Sequence, residues 1–326
     1  MKTIFDTTTL RATTLRNRVW RSATWLGQAE ADGQVSDPIS HTYQALAEGG
    51  ASLLVTGLTS ISANDAIIGG ECKFFDDTFI PGHRRLTDAV HRRGAAILMQ
   101  TAMVDGPVDE LSTAQVDAVV RSFAATAHRA ELAGYDGVQI HAAHFFYLSK
   151  FISPLFNHRT DRYAGSAILP AILAAMRACT SPNFLVTMKI NSTDEYPGGL
   201  DLPLFLDVCR SMQGLDAIEV SANGTSRRGI RAYANEGSFL PAAARLADEV
   251  DTPVALVGGV RSMEFANRVL NETRIAYISL SRPLICEPGL IRRWQRGDTA
   301  PSLCVSCNGC YSSPGHRCIV HPRPRG

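Results

Sequence analysis

The 326-residue chain (35.3 kDa) has 45% hydrophobic and 19% charged residues and a mean hydropathy of −0.02, the balance of an ordinary globular protein. No run approaches the roughly 18 apolar residues that a membrane span needs, so a membrane protein is not expected. Thirty-two basic against 31 acidic side chains leave a net charge of +1, too little to hold a nucleic-acid backbone, so no nucleic-acid partner is expected.

From Met1 to Arg18 charged and hydroxyl residues alternate with single apolar ones, without the apolar segment of a secretory signal, so a cytoplasmic protein is expected. Eight short apolar or β-branched runs then follow one another. They are VWRSATW from Val19, ASLLVTG from Ala51, AAILMQT from Ala95, GVQIHAAH from Gly137, FLVTMKIN from Phe184, AIEVSANG from Ala217, VALVGG from Val254 and IAYISLSR from Ile275. Amphipathic segments lie between them. The clearest starts at Ser112 or Thr113 as N-cap and stops at Gly134. Eight alternating strand and helix units over about 280 residues predict a closed (β/α)8 TIM barrel, and no G-x-G-x-x-G loop follows any strand to support a dinucleotide-binding sheet instead. The barrel is expected over residues 1–297. Residues 298–326, rich in Cys, Ser, Pro and Gly, are too few for a core of their own and read as an ordered extension or lid.

A barrel carries its chemistry where the strands run out, and polar residues stand there in seven of the eight runs, the seventh ending in a glycine pair. Gly258-Gly259 after the seventh strand and Ser281-Arg282 after the eighth occupy the usual phosphate position of such barrels, which predicts a phosphorylated cofactor. Lys189 ends the fifth strand pointing inward, where its ammonium needs an anion. Gln100 ends the third with a donor and an acceptor fit for the edge of a heterocycle. His141 and His144, three apart just past the fourth strand, can hold a carbonyl or phenolate oxygen; a metal would need a third ligand that is not evident beside them. After the sixth strand, Arg227, Arg228 and Arg231 form a basic loop that could attract an anionic substrate or simply be solvated.

Four cysteines (Cys72, Cys179, Cys209, Cys286) are scattered, whereas Cys304, Cys307, Cys310 and Cys318 crowd into fifteen residues. In a reducing compartment that clustering points to metal or iron-sulfur ligation more than to disulfides, with iron-sulfur, zinc and free thiols left open.

The segment IHAAHFFYLSKFISPLFNHRTDRYAGS, residues 140–166, resembles the signature of the old yellow enzyme and 2,4-dienoyl-CoA reductase family of FMN-dependent NADH:flavin oxidoreductases. The likeness extends through LRNRVWRSAT, GGASLLVTG, VALVGGVRS and ISLSRPLICEPGL. It implies that Ala23, Thr24 and Gly57 line FMN, that Gln100 bonds its pyrimidine edge, and that Lys189 sits beside N1 and the C2 carbonyl. Gly258, Gly259, Ser281 and Arg282 would serve its phosphate. His141 and His144 would bind a substrate carbonyl. The implied reaction moves hydride from NADH or NADPH through FMN to the C=C of an α,β-unsaturated carbonyl, thioester or related conjugated substrate.

Two departures stand out. Phe145-Phe146 replaces the usual Gly-Tyr after the second histidine, removing the tyrosine that protonates the α-carbon, and leaves Tyr147 as the neighbouring candidate. Trp25 replaces a small polar residue. The larger dienoyl-CoA reductase relatives carry a [4Fe-4S] cluster near the position of Cys304, Cys307, Cys310 and Cys318, with different spacing, and further FAD and NAD domains into which this sequence does not continue. Two alternatives stay open beside the ene-reductase: a barrel subunit fed by a separate electron-transfer partner through such a cluster, and a flavin- or ligand-binding barrel without turnover. A homo-oligomer is compatible with either.

Overall fold

The computed structural model describes residues 1–65, 68–223 and 226–321. A short antiparallel hairpin, β1 (Thr8–Leu10) and β2 (Thr13–Leu15), precedes the main sheet. Strands β3 (Val19–Arg21) and β4 (Leu53–Ser60) come next, and β5 (Cys72–Lys73) adds a two-residue pairing at the end of β4. The remaining strands are β6 (Ala96–Ala102), β7 (Gly137–Ala142), β8 (Leu185–Asn191), β9 (Ala217–Ser221), β10 (Val254–Leu256) and β11 (Tyr277–Leu280). All pairings in this sheet are parallel, and β11 pairs with β3 while β3 pairs with β4, so eight strands close into a TIM barrel, each on one of the eight runs expected from sequence.

Helices alternate with the strands: α1 (Asp37–Glu48), α2 (Ile80–His91), α3 (Thr113–Leu132), α4 (Tyr147–Phe151), α5 (Ile168–Cys179), α6 (Leu202–Ser211), α7 (Leu240–Glu249), α8 (Met263–Glu272), α9 (Arg282–Cys286) and α10 (Leu290–Gln295). Local chemistry explains their ends. Ser112 caps α3 in a capping box with Gln115, and Gly134 leaves that helix at φ +83°, a left-handed turn that a side chain resists. None of the described helices is long and apolar enough to cross a membrane.

Period-2 alternation sorts each strand into two faces. Outward residues such as Ile97, Val138, Val186, Ile218 and Ile278 pack in the large core between strands and helices. Inward residues form two layers. At the N-terminal end Trp20, Leu53, Leu98, Leu185 and Tyr277 make a small apolar plug that Leu10 and Leu15 of the hairpin seal from below, with the Trp20 and Tyr277 rings 4.7 Å apart. Above the plug the inward positions turn polar, and there the site begins.

Candidate active site

Lys189 and Glu219 are partners in the β8–β9 register and both are buried, with Lys189 Nζ 3.5 Å from Glu219 Oε1. The anion that Lys189 requires is thus within the chain. Ser22 Oγ accepts from Lys189 Nζ at 2.9 Å and donates to Glu219 Oε1 at 2.7 Å, and Ser279 Oγ donates to the same oxygen at 2.8 Å. The other oxygen accepts from Gln139 Nε2 at 2.9 Å. Burial alone would raise the Glu219 carboxyl, but the Lys189 charge and these three hydrogen bonds outweigh it and hold the group below its ordinary value.

The carboxylate also sets the amides. Since Gln139 Nε2 serves Glu219, its Oε1 accepts from Gln100 Nε2 at 2.8 Å, and Gln100 keeps Oε1 as its remaining acceptor. An acceptor beside a buried ammonium matches the N–H and C=O edge of a flavin pyrimidine.

Above this layer opens a cavity of about 270 Å³. His141, His144 and Phe146 form one wall; the His141 ring stands edge-on to His144 at 5.2 Å and to Phe146 at 4.8 Å. Burial, then the Lys189 charge, pushes His141 down to about 3. Burial, then His141 and Lys189, drives His144 well below its ordinary value, so both imidazoles are neutral at pH 7. Ala143 N–H donates to His141 Nδ1 at 3.4 Å, which leaves Nε2–H as a donor. His144 adopts φ +66°, with its N–H on Asn191 Oδ1 at 3.1 Å and its Nε2 on Ser221 Oγ at 3.0 Å.

The opposite composition marks another part of the lining. Gly258 and Gly259 are left-handed, at φ +97° and +91°, and a Cβ on Gly258 would lie 2.5 Å from the Phe239 ring. Arg282 and Arg261 line this end, both almost fully buried. Arg261 Nε has no hydrogen-bond partner, and burial pulls its guanidinium below the ordinary value, with Arg282 adding to the effect. Two buried guanidiniums beside a left-handed glycine pair form a donor set that fits a phosphate. Thr24 Oγ1 and Ser281 Oγ bond at 2.9 Å, and Ala23 borders the same space.

Lys189, Gln100, both histidines, Ala23, Thr24, Gly258, Gly259, Ser281 and Arg282 therefore share one cavity. Two expected residues do not join them. Gly57 lines a separate, smaller cavity; its N–H bonds Tyr43 Oη at 2.7 Å, and a Cβ there would sit 2.8 Å from Thr24 O, so its smallness serves strand packing. Tyr147 is fully buried against Phe151 with a hydroxyl that has no partner, and burial pushes it up to about 12. The one-residue offset from Phe146 places its ring in the core behind the wall.

Cys304, Cys307, Cys310 and Cys318 surround a small, nearly wholly apolar cavity together with Cys286. Among the described residues no group of three or more His, Cys, Asp or Glu side chains is arranged to hold a metal ion; the close pair is Cys286 and Cys318, with sulfurs 3.6 Å apart. In the basic loop, Arg227 pairs with Glu195 at 2.6 Å and Arg231 bonds Val305 O, while Gly224 and Thr225 lie outside the described residues. Glu219, Arg261, Tyr311 and His316 are further residues of the network or the cavity lining that sequence reasoning had not singled out.

A TIM barrel whose mouth pairs a cationic, phosphate-sized end with a buried lysine, a fixed amide acceptor and two neutral imidazoles has the layout of a flavin-dependent oxidoreductase. The family model for the NADH:flavin oxidoreductase / NADH oxidase family matches residues 3–107 and 102–300, and the chain belongs to that family, whose members bind FMN and use NADH or NADPH. The chain is 27% identical to the 4,4'-dithiodibutanoate disulfide reductase of Rhodococcus erythropolis, over 97% of this chain and 94% of that protein. It is 28% identical to an NADPH dehydrogenase of Geobacillus sp. (strain WCH70), over 87% and 91%. Some other relatives are longer, and the chain spans about half of them. Among solved structures, the old yellow enzyme homologue of Zymomonas mobilis superposes with a TM-score of 0.79 at 20% identity, covering 94% of this chain and 96% of that one.

Proposed function

We propose that the protein is an ene-reductase, an FMN-dependent enzyme that takes electrons from NADH or NADPH and reduces the C=C of an α,β-unsaturated carbonyl compound. The observation that carries this reading is the pair of neutral imidazoles in the wall of the cavity whose floor is Lys189 and Gln100. FMN, when bound, supplies the carrier that accepts two electrons from the nicotinamide and returns them as hydride. Lys189 and Gln100 are the residues that would hold its pyrimidine edge, with Ala23 and Thr24 beside the ring and Gly258, Gly259, Ser281, Arg261 and Arg282 around its phosphate.

The chain's own contribution to the second half of the reaction is electrostatic. His141 donates from Nε2 to the substrate carbonyl oxygen. His144 donates from Nδ1 when Ser221 gives its hydroxyl proton to Nε2. Both donors strengthen as negative charge develops on that oxygen, which draws electron density from the β-carbon and opens it to hydride. Neutral donors suit this task because they polarise without delivering a proton to oxygen prematurely.

The test is anaerobic. The purified protein should carry FMN, NADPH or NADH should bleach it, and cyclohex-2-enone should restore the oxidised spectrum. A flavin that both nucleotides leave oxidised sinks the self-sufficient enzyme. Rapid reoxidation by 4,4'-dithiodibutanoate together with inertness to enones keeps the redox role and overturns the substrate class.

A further inference from the structure

Reduction of a C=C bond adds a hydride to one carbon and a proton to the other. Phe146 has no proton to give, and the Tyr147 hydroxyl lies in the core behind the wall. The cavity nevertheless has another phenol. Tyr311, from the Cys-rich extension, lines it together with His316.

The extension is held in place from several sides. Arg261 donates to Ser306 Oγ at 2.7 Å, Ser302 N–H donates to Arg261 O at 2.8 Å, and Arg282 donates to Asn308 Oδ1 at 2.5 Å. The residues that would face the phosphate therefore also anchor the segment bearing Tyr311. His316, 7% exposed, packs its ring 4.8 Å from Trp25 and edge-on to Tyr311 at 6.0 Å, with a buried Nδ1 that has no partner. Ser226 Oγ donates to the Tyr311 hydroxyl at 2.5 Å, so the phenol keeps its own proton for another acceptor. The residue is also 45% exposed, so its side chain borders solvent.

Resting on the ene-reductase reading, we infer that Tyr311 is the proton donor to the α-carbon, a catalytic residue supplied by the extension in place of one on the β7 wall. Hydride addition at the β-carbon breaks the C=C π bond and leaves an enolate whose oxygen His141 and His144 hold. The α-carbon then takes the proton from Tyr311 Oη, the C=O re-forms, and the phenolate recovers a proton from water. NADH or NADPH is the source of both electrons.

Tyr311→Phe tests this in the intact protein. Its reduction by NADPH and its reoxidation by ferricyanide, which needs no carbon protonation, should match the wild type, while reoxidation by cyclohex-2-enone should slow by about 10²-fold or more. Independently of turnover, nitration of Tyr311 by tetranitromethane, mapped by mass spectrometry, should fall several-fold when cyclohexanone fills the FMN-loaded protein. Unchanged enone reoxidation in Tyr311→Phe overturns the assignment, as does nitration that cyclohexanone leaves unaltered. A His316→Phe variant that loses the enone step while Tyr311→Phe keeps it moves the donor to His316 and likewise overturns it. A wild-type protein that ferricyanide reoxidises and enones do not overturns the ene-reductase reading and this inference together, a result distinct from a defect confined to the variant.

Discussion

The cavity is built by two regions that work on different principles. The wall of β7, β8 and β9 places His141, Lys189, Glu219 and Ser221 by the hydrogen-bond ladder, which settles which side chains point inward before any of them makes a contact. The extension has no ladder among its described residues. It places Tyr311 and His316 by side chain-to-backbone ties, a thiol contact and three non-glycine residues in left-handed conformation, Ser306, Asn308 and His316 at φ +56°, +65° and +51°. Positions of that kind cost energy that only the surrounding contacts repay. Chemistry carried by the barrel wall thus rests on the pairing that makes the sheet, whereas chemistry carried by the extension rests on contacts outside it.

The sharpest way to break that contrast is Lys189→Met. It strands the Glu219 carboxylate in the barrel interior, and removing one partner of a buried pair costs about 3–5 kcal/mol, read by urea unfolding. Lys189→Met with Glu219→Gln should recover much of the loss. The pH dependence follows from the same carboxyl. Held below its ordinary value in the folded state, it contributes stability above the unfolded value near 4.5, and that contribution drains away as pH falls through the folded value. The stability difference between wild type and Glu219→Gln should therefore shrink in acid. A Lys189→Met protein as stable as the wild type would deny that the inner polar layer is structural.

Next in size are His141→Ala and His144→Ala. Each removes a donor to the developing oxyanion, and each should lower kcat/KM for cyclohex-2-enone by about 10²- to 10³-fold, with reduction by NADPH little changed. Because both imidazoles are neutral well below pH 6, no histidine limb should appear between pH 6 and 7 in the enone half-reaction; a clear one would contradict the buried wall. Arg282→Ala comes third. Loss of a charge-assisted bond of about 1.5–3 kcal/mol should weaken FMN retention by about 10- to 100-fold, and Arg282→Lys should restore only part because an ammonium lacks the fork. This substitution also severs the tie to Asn308, so it joins the two regions, and limited proteolysis of the extension should rise with it.

The same contrast explains what could be read from residues alone. Eight buried parallel strands show themselves as short β-branched runs, and Lys189 within one of them demanded an anion because an unpaired ammonium in a barrel is too costly. Glu219 was equally legible in principle: AIEVS puts Ala217, Glu219 and Ser221 on one face, though only the register shows that the carboxylate meets Lys189. Arg261 stands two residues past Gly259, and its inward turn depends on the extension that bonds it. Gly57 and Tyr147 resemble site residues by their place beside a motif, but the tight packing of β4 and the turn at Phe146 send them elsewhere. Tyr311 and His316 carry no periodic signal, since nothing in a Cys- and Gly-rich stretch tells which way a left-handed residue points.

The smallest expected effect probes how finely the ladder sets the wall. Ser221 ends β9 and touches His144 Nε2, and its hydroxyl can donate there only if His144 carries its proton on Nδ1. Ser221→Ala removes that preference without opening the wall, so His144 divides between tautomers and donates to substrate from Nδ1 only part of the time. The cost is that of one neutral hydrogen bond, about 1 kcal/mol, or roughly fivefold in kcat/KM for the enone. NADPH oxidation in the first half-reaction should not change, since Ser221 acts through the histidine. A Ser221→Ala enzyme slowed as much as His144→Ala would mean that the hydroxyl itself meets the substrate, and that β9 as well as β7 supplies the oxyanion donors.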